Sequence, residues 1–265
     1  MSITDSFDES RPLIGPDDLY TKGNISDICI ATFSCEVLQD VLKRYDHREE
    51  VCAFTANGKI PVYSLLGGEH KILFYMSPIG AACAGCIMEE VSYLTGATNF
   101  IVFGSCGSLD HSMTDGKLII PTESYRDEGF SYHYQKAGDY MEITNSKKIS
   151  ELFDKLSVPH VCGRSWTTDA IYRETEANAA RRKADGCIAV EMESAGLQAL
   201  CTFKRWELYP FFFASDLVDG EVWQNISLGT AEERRHQINC FETALRLAEL
   251  LIKENTCGDQ ADSGK

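Results

Sequence analysis

Along most of the chain, short apolar runs alternate with stretches whose apolar residues recur every three or four positions, the pattern of buried strands each followed by an amphipathic helix. Residues 28–31 predict a strand, and Val37, Leu38, Val41 and Leu42 then place one face of a helix inward. Residues 51–55, 61–66 and 71–76 read as successive strands, the last two joined by a turn opening at Gly67 and Gly68. Cys83, Ile87, Val91 and Leu94 share one face of a helix that Gly96 ends. Residues 99–103, 117–121, 188–190 and 208–214 read as strands, and 145–156 and 175–185 as helices. The final helix opens on Thr230-x-x-Glu233, a capping box, and aligns Ile238, Phe241, Leu245, Ala248 and Ile252. The alternation predicts a single α/β domain: a largely parallel, twisted central sheet with helices on both faces. Residues 1–24 read as a polar arm able to reach a neighbouring subunit, 25–254 as the domain, and 255–265 as a disordered tail.

Composition narrows the partners. Forty acidic residues against 25 basic ones give a net charge of -15, which argues against nucleic acid and membrane surfaces, since polymeric phosphate calls for a basic face. A small anion needs only a local pocket and stays open. Eleven cysteines scattered singly read as reduced, buried thiols of a cytoplasmic protein. Cys83 and Cys86 form a CxxC inside a helical pattern with no second pair, which reads as core thiols, and no metal or cofactor is expected. No apolar run approaches the length of a membrane span.

The most informative stretch runs from Gly186 to Gly196, where a short strand passes into a helix with Glu191, Met192 and Glu193 at the junction. Burying an unpaired carboxylate costs several kcal/mol, on the order of a whole side chain's hydrophobic gain. Glu193 is therefore expected to take a ligand, and a vicinal diol such as a ribose fits a carboxylate at a strand's carboxyl end. Glu191 reads as an exposed glutamate favoured by the helix macrodipole. Gly104-Ser-Cys-Gly107, after the strand 99–103, reads as a turn whose amides and Ser105 hydroxyl face an anion. The polar and aromatic loop 126–134 reads as a binding lip. The run 166–172 begins polar and ends aromatic, as a wall for a flat base would; Asp169 in it fits a ligand group or a turn residue. Ser105, Asp169, Glu193 and Asp216 all fall at or just past strand ends, so four strand ends are expected to converge on one site.

With these motifs in place, the chain resembles the nucleoside phosphorylase/uridine phosphorylase superfamily over nearly its whole length. The carrying runs are Gly104-Ser-Cys-Gly-Ser-Leu109, Arg126-Asp-Glu-Gly129, Thr167-Thr-Asp-Ala-Ile-Tyr172, Val190-Glu-Met-Glu-Ser-Ala195 and Ala214-Ser-Asp216. The resemblance implies a phosphorylase/hydrolase-like fold and cleavage of an N-glycosidic bond by inorganic phosphate, giving a free base and a pentose 1-phosphate. It implies that Met192 and Glu193 hold the sugar, that Ile171 and Tyr172 lie against the base, that Asp216 gives the leaving base a proton, and that Gly104 and Ser105 face phosphate. It also implies a homo-oligomer, dimer or hexamer.

The chain departs from the family pattern where phosphate would be held. Val102 stands where phosphorylases carry an arginine, and the run 31–36 replaces an N-terminal Gly-Asp-Pro-x-Arg. Arg48, Arg126 and Arg173 are the candidate substitutes. If water replaces phosphate, the enzyme is a hydrolytic nucleosidase with Glu36 as general base; if turnover is lost, it is a nucleoside-binding protein. Thr175 and Ala177 stand where uridine phosphorylases carry glutamine and arginine, and Asp216 favours a purine; the subgroup resemblance points to pyrimidine, and base preference stays open.

Overall fold

The computed structural model describes residues 2–68, 70–219 and 222–262, with side chains as far as Glu254. The strands are β1 (Ile28–Thr32), β2 (His47–Thr55), β3 (Gly58–Leu65), β4 (Ile72–Met76), β5 (Asn99–Ser108), β6 (Leu118–Asp127), β7 (Tyr140–Glu142), β8 (His160–Thr168), β9 (Cys187–Glu191), β10 (Glu207–Leu217) and β11 (Gln224–Asn225). The helices are α1 (Cys35–Arg44), α2 (Ala81–Thr95), α3 (His111–Thr114), α4 (Ser146–Leu156), α5 (Glu176–Ala184), α6 (Ser194–Lys204) and α7 (Ala231–Asp262).

A single α/β domain results, but its sheet is mixed rather than largely parallel. The 11 strands run β11-β10-β6-β8-β9-β5-β1-β4-β3-β2, with β7 on β6, and β10 also pairs with β5. That extra pairing closes β5, β10, β6, β8 and β9 into a barrel. Closure has a local cause: the register shifts at Pro121/Ser124, Arg164/Ser165 and Ala214/Asp216 mark bulges, which bend strands and increase twist. The antiparallel β2–β3–β4 portion follows from chain reversals between consecutive strands, the first a tight hairpin that pairs Thr55 with Gly58.

Helices cover both faces. One apolar cluster joins Val37 and Val41 of α1, Ile149 and Phe153 of α4 and Phe241 and Leu247 of α7 to the sheet; a second joins Ile87, Met88 and Val91 of α2 and Leu197 and Leu200 of α6 to its other side. Two details of the sequence reading change. Cys83 and Cys86 are exposed on α2, because its buried face is set by Ala84, Ile87, Met88 and Val91. The inward face of α7 is likewise rotated to Phe241, Ala244, Leu247, Ala248 and Leu251.

The N-terminal arm lies along its own chain: Phe7 meets Phe203 edge-on, and the Tyr20 hydroxyl donates to Glu90 of α2 at 2.7 Å. The backbone of α7 is helical as far as Asp262, where a tail was expected from 255; Ser263 to Lys265 lie outside the described residues. Among the described residues no helix is long and apolar enough to cross a membrane.

Candidate active site

β1, β4, β5 and β10 run in one direction, and β8 and β9 run against β5, so that the end of β9 arrives beside the carboxyl end of β5, where Val190 pairs with Gly107. β9 ends at Glu191, which is buried, not exposed as its sequence context suggested. The macrodipole argument holds, but the helix end is internal. Glu191 accepts the N–H groups of Glu193 (2.8 Å) and Ser194 (2.7 Å), the Ser165 hydroxyl (3.3 Å) and a short bond from Thr167. All its acceptor capacity goes to fixing the first turn of α6 against β8. Burial raises its pKa, while these hydrogen bonds oppose the rise.

Glu193 is held differently. It is 5% exposed and its Oε1 accepts the Gly80 N–H at 2.7 Å, at the start of α2. Gly80 has φ of 92°, which a side chain would strain, and this conformation aims its N–H at the carboxylate. Among the described residues no cation pairs with Glu193. Burial first, then the charge of Glu191, pushes its pKa up to about 8. The carboxyl is thus desolvated and held by backbone donors alone, the buried setting that the sequence argument expected of it. Met192, half-buried, lies between the two glutamates.

The lip over this centre is built from the segment after β6. Arg126 is buried within β6 and donates to Ser131 Oγ (2.8 Å) and to the carbonyls of Lys136 (2.7 Å) and Gln135 (3.3 Å), with its guanidinium over Tyr132. Three of its five N–H donors are spent on folding the lip. Phe130 fills the space that a Cβ at Gly85 or Gly196 would take, wedging the lip between α2 and α6. Asp169, just past β8, accepts the Gly129 N–H at 3.0 Å and adds negative charge near Glu193.

Asp216 comes close from β10. Its carboxylate accepts the Ser215 hydroxyl (3.0 Å) and the Trp223 indole N–H (2.8 Å). A Cβ on Gly107 would collide with Val218 and Val190 and lie 3.5 Å from Asp216, so glycine there lets β5, β9 and β10 approach around the site. Glu174 stands beside Asp216: burial and the Asp216 charge lift its pKa to about 7. Nothing in sequence spacing marks Glu174, because its neighbour arrives from a strand 42 positions later. Ile171 and Tyr172 lie in the short turn before it; both are exposed, Tyr172 at 95%.

Gly104 and Ser105 do not form the expected turn. β5 runs straight through them to Ser108, held by β10 from Asn99 to Ser108. On its other edge β1 pairs only as far as Phe103 and β9 only from Gly107, so the stretch between has an edge without a strand partner. Phe33 packs on Gly104 there, and α1 begins just beyond, capped by Ser34. An open strand edge beside a helix N-terminus favours an anion. Val102 is a buried core residue. Glu36, in the first turn of α1, is gripped by two guanidinium nitrogens of Arg234 from α7, one bond at 2.8 Å and one shorter. Arg234 holds the Glu36 pKa down. Arg234 too was invisible in the sequence, 198 positions from its partner. Arg48 pairs with Glu50 on β2, and Arg173 lies in the exposed turn. Among the described residues, no cluster of three or more His, Cys, Asp or Glu side chains is arranged as a metal site.

Comparison with known proteins agrees with this geometry. An uncharacterized protein of Acanthamoeba polyphaga mimivirus is 30% identical over 154 residues, 57% of this chain and 58% of that protein. A DeoD-type purine nucleoside phosphorylase of Thermoanaerobacter sp. is 30% identical over 176 residues, 64% of this chain and 73% of its own length. A 5'-methylthioadenosine/S-adenosylhomocysteine nucleosidase of Buchnera aphidicola is 28% identical over 166 residues, 58% of this chain and 72% of that protein. Among solved structures, purine nucleoside phosphorylase from Toxoplasma gondii superposes with a TM-score of 0.68 at 16% identity, covering 85% of this chain and 93% of that one, which establishes the shared fold. The family description Phosphorylase superfamily matches residues 27–253, and the chain belongs to that superfamily.

Proposed function

We infer that the chain is a nucleoside phosphorylase acting on purine ribonucleosides, with inorganic phosphate as co-substrate and no other cofactor. The observation that carries this reading is Glu193: a buried carboxyl held only by the backbone N–H groups of Gly80 and Met192, with no cation partner among the described residues and a pKa of about 8. Two vicinal hydroxyls supply the donors it lacks. Met192 packs along the sugar, and Ile171 and Tyr172 lie against the base, with Asp169 holding the lip in place.

Bond cleavage separates a cationic, oxocarbenium-like sugar from the base, so each side needs its own stabilisation. Asp216, delivered from β10, gives its proton to the departing purine. Glu174, its pKa lifted to about 7 beside it, is about half protonated at neutral pH and supplies the proton that Asp216 passes on. Phosphate attacks the opposite face of the sugar from the open edge at Gly104 and Ser105, its charge met by the amide end of α1 and by Arg234 in place of the missing arginines.

Pairing with Arg234 weighs against Glu36 as a general base, because a carboxylate held ionised by a guanidinium takes a proton poorly. Hydrolysis is favoured by one observation, the apolar Val102 on β5. The two readings separate in a product assay: inosine, adenosine and uridine incubated with and without phosphate, followed by chromatography. Purine release that needs phosphate and yields ribose 1-phosphate is expected. Release of free ribose without phosphate would make the enzyme a nucleosidase.

A homo-oligomer fits the same geometry. Ile79, Ile171, Tyr172 and Trp223 are large, apolar and exposed around the site, and a second copy would cover the base side. The free cysteines among the described residues suit a reducing, cytoplasmic setting.

A further inference from the structure

Behind Asp216 lies a second cavity, of about 440 Å³, between the first turns of α7, the start of β6 and the segment 111–117. Its volume is in the range of small-molecule sites, and none of the residues assigned above to substrate line it. Its wall includes the Phe213 ring, on which the His236 imidazole stacks with centroids 5.7 Å apart and planes 24° off parallel. Apolar side chains of Leu118, Val158 and Ile226 continue that wall.

Two polar atoms in the lining have no hydrogen-bond partner: Ser227 Oγ and His111 Nδ1. Ser227 is 2% exposed. A buried hydroxyl left unpaired is costly and calls for an explanation. Its backbone is not idle, for the Ser227 N–H donates to the Ser215 carbonyl at 2.8 Å, so the residue is firmly seated with its side chain unused. An aromatic platform together with a hydroxyl and an imidazole nitrogen matches a flat heterocycle, which offers a π face for stacking and ring nitrogens or exocyclic groups for the edge.

We propose that this cavity is a second binding site for a planar nitrogen heterocycle of nucleobase size, and that its occupant regulates the catalytic site. The coupling has a physical route on both sides. Ser215, whose carbonyl receives the N–H groups of Ile226, Ser227 and Leu228, donates its hydroxyl to Asp216. On α7, Glu232 and His236 of the cavity wall flank Arg234, which grips Glu36 at the phosphate mouth. An occupant that shifts the segment 226–228 or the first turns of α7 therefore acts on the backbone that carries Asp216 and Arg234. This regulatory part rests on the function proposed above; the binding part does not.

Equilibrium titration with adenine, hypoxanthine and uracil tests it. At least one of these bases is expected to bind with two sites per wild-type chain, and with one per chain in Asn239→Trp, whose indole fills the cavity from an exposed helical position. Ser227→Ala is expected to weaken the second site roughly tenfold while leaving the fold at least as stable, since it deletes an unpaired hydroxyl. A single site that Asn239→Trp does not touch, or no binding of any of the three, overturns the proposal. If nucleosides are not cleaved at all but the second site titrates as described, the functional reading fails and the binding site stands. If cleavage occurs and added base inhibits purely competitively in both wild type and Asn239→Trp, the regulatory coupling is refuted.

Discussion

Around Glu193 every wall comes from the interior of one chain: the α2 and α6 helix starts, the lip pinned by Phe130, and Glu191 with its four hydrogen bonds. Around Asp216 the walls are exposed side chains, Ile171, Tyr172 and Trp223, and the ion pair of Glu36 with Arg234 spans two surface helices. The surroundings of Glu193 are thus fixed by packing, whereas those of Asp216 and Glu36 are built from exposed side chains. On the function proposed above, this division puts the sugar-binding group in the packed region and the proton donor and phosphate mouth in the exposed one.

Substitutions can break this contrast. The largest effect is expected from Asp216→Asn, which keeps shape and removes the proton: kcat should fall by roughly 10²–10⁴ with the KM for nucleoside nearly unchanged. An unaltered kcat would reduce Asp216 to an acceptor for Ser215 and Trp223. Next, Arg234→Ala removes a guanidinium from the phosphate mouth, and the KM for phosphate should rise about tenfold or more, as loss of a charge-assisted bond does. A change confined to the nucleoside KM would contradict that placement.

The smallest effect is in pH dependence. Glu193 is raised from 4.5 to about 8, so the free enzyme's native state holds a proton that the unfolded chain releases. Its stabilising contribution is complete below about pH 4.5 and is lost as pH rises through 8. Thermal midpoints should therefore decline between pH 6 and 9 more steeply in wild type than in Glu193→Gln. Equal slopes would show that Glu193 is already ionised. Glu174, raised to about 7, adds to the decline in both proteins. Because hydroxyl donors favour the anion, nucleoside binding below pH 8 should also release a proton.

The sequence carried the packed region well. A short apolar strand, 188–190, running straight into a helix was enough to place Glu193 at a buried junction, and Gly80 was visible only as the glycine before a helix. It did not distinguish the environment of Glu191, because whether a helix start is internal depends on β8 and Thr167, far away in the chain. Gly104 and Ser105 looked like a turn; the β10 partner that keeps them in a strand is set by barrel closure, a long-range pairing. The same limit hid Glu174 and Arg234, each defined by a neighbour brought in by tertiary structure.

The central claim is that Glu193 reads the ribose diol. The most direct measurement compares kcat/KM for inosine and 2′,3′-dideoxyinosine on wild type and on Glu193→Ala. Wild type should prefer inosine by roughly 10²–10³, in keeping with about 2–5 kcal/mol for a buried, charged hydrogen-bond partner, and the variant should treat the two substrates nearly alike. If Glu193→Ala lowers both values equally and keeps the preference for inosine, the carboxylate holds the fold and another group holds the sugar.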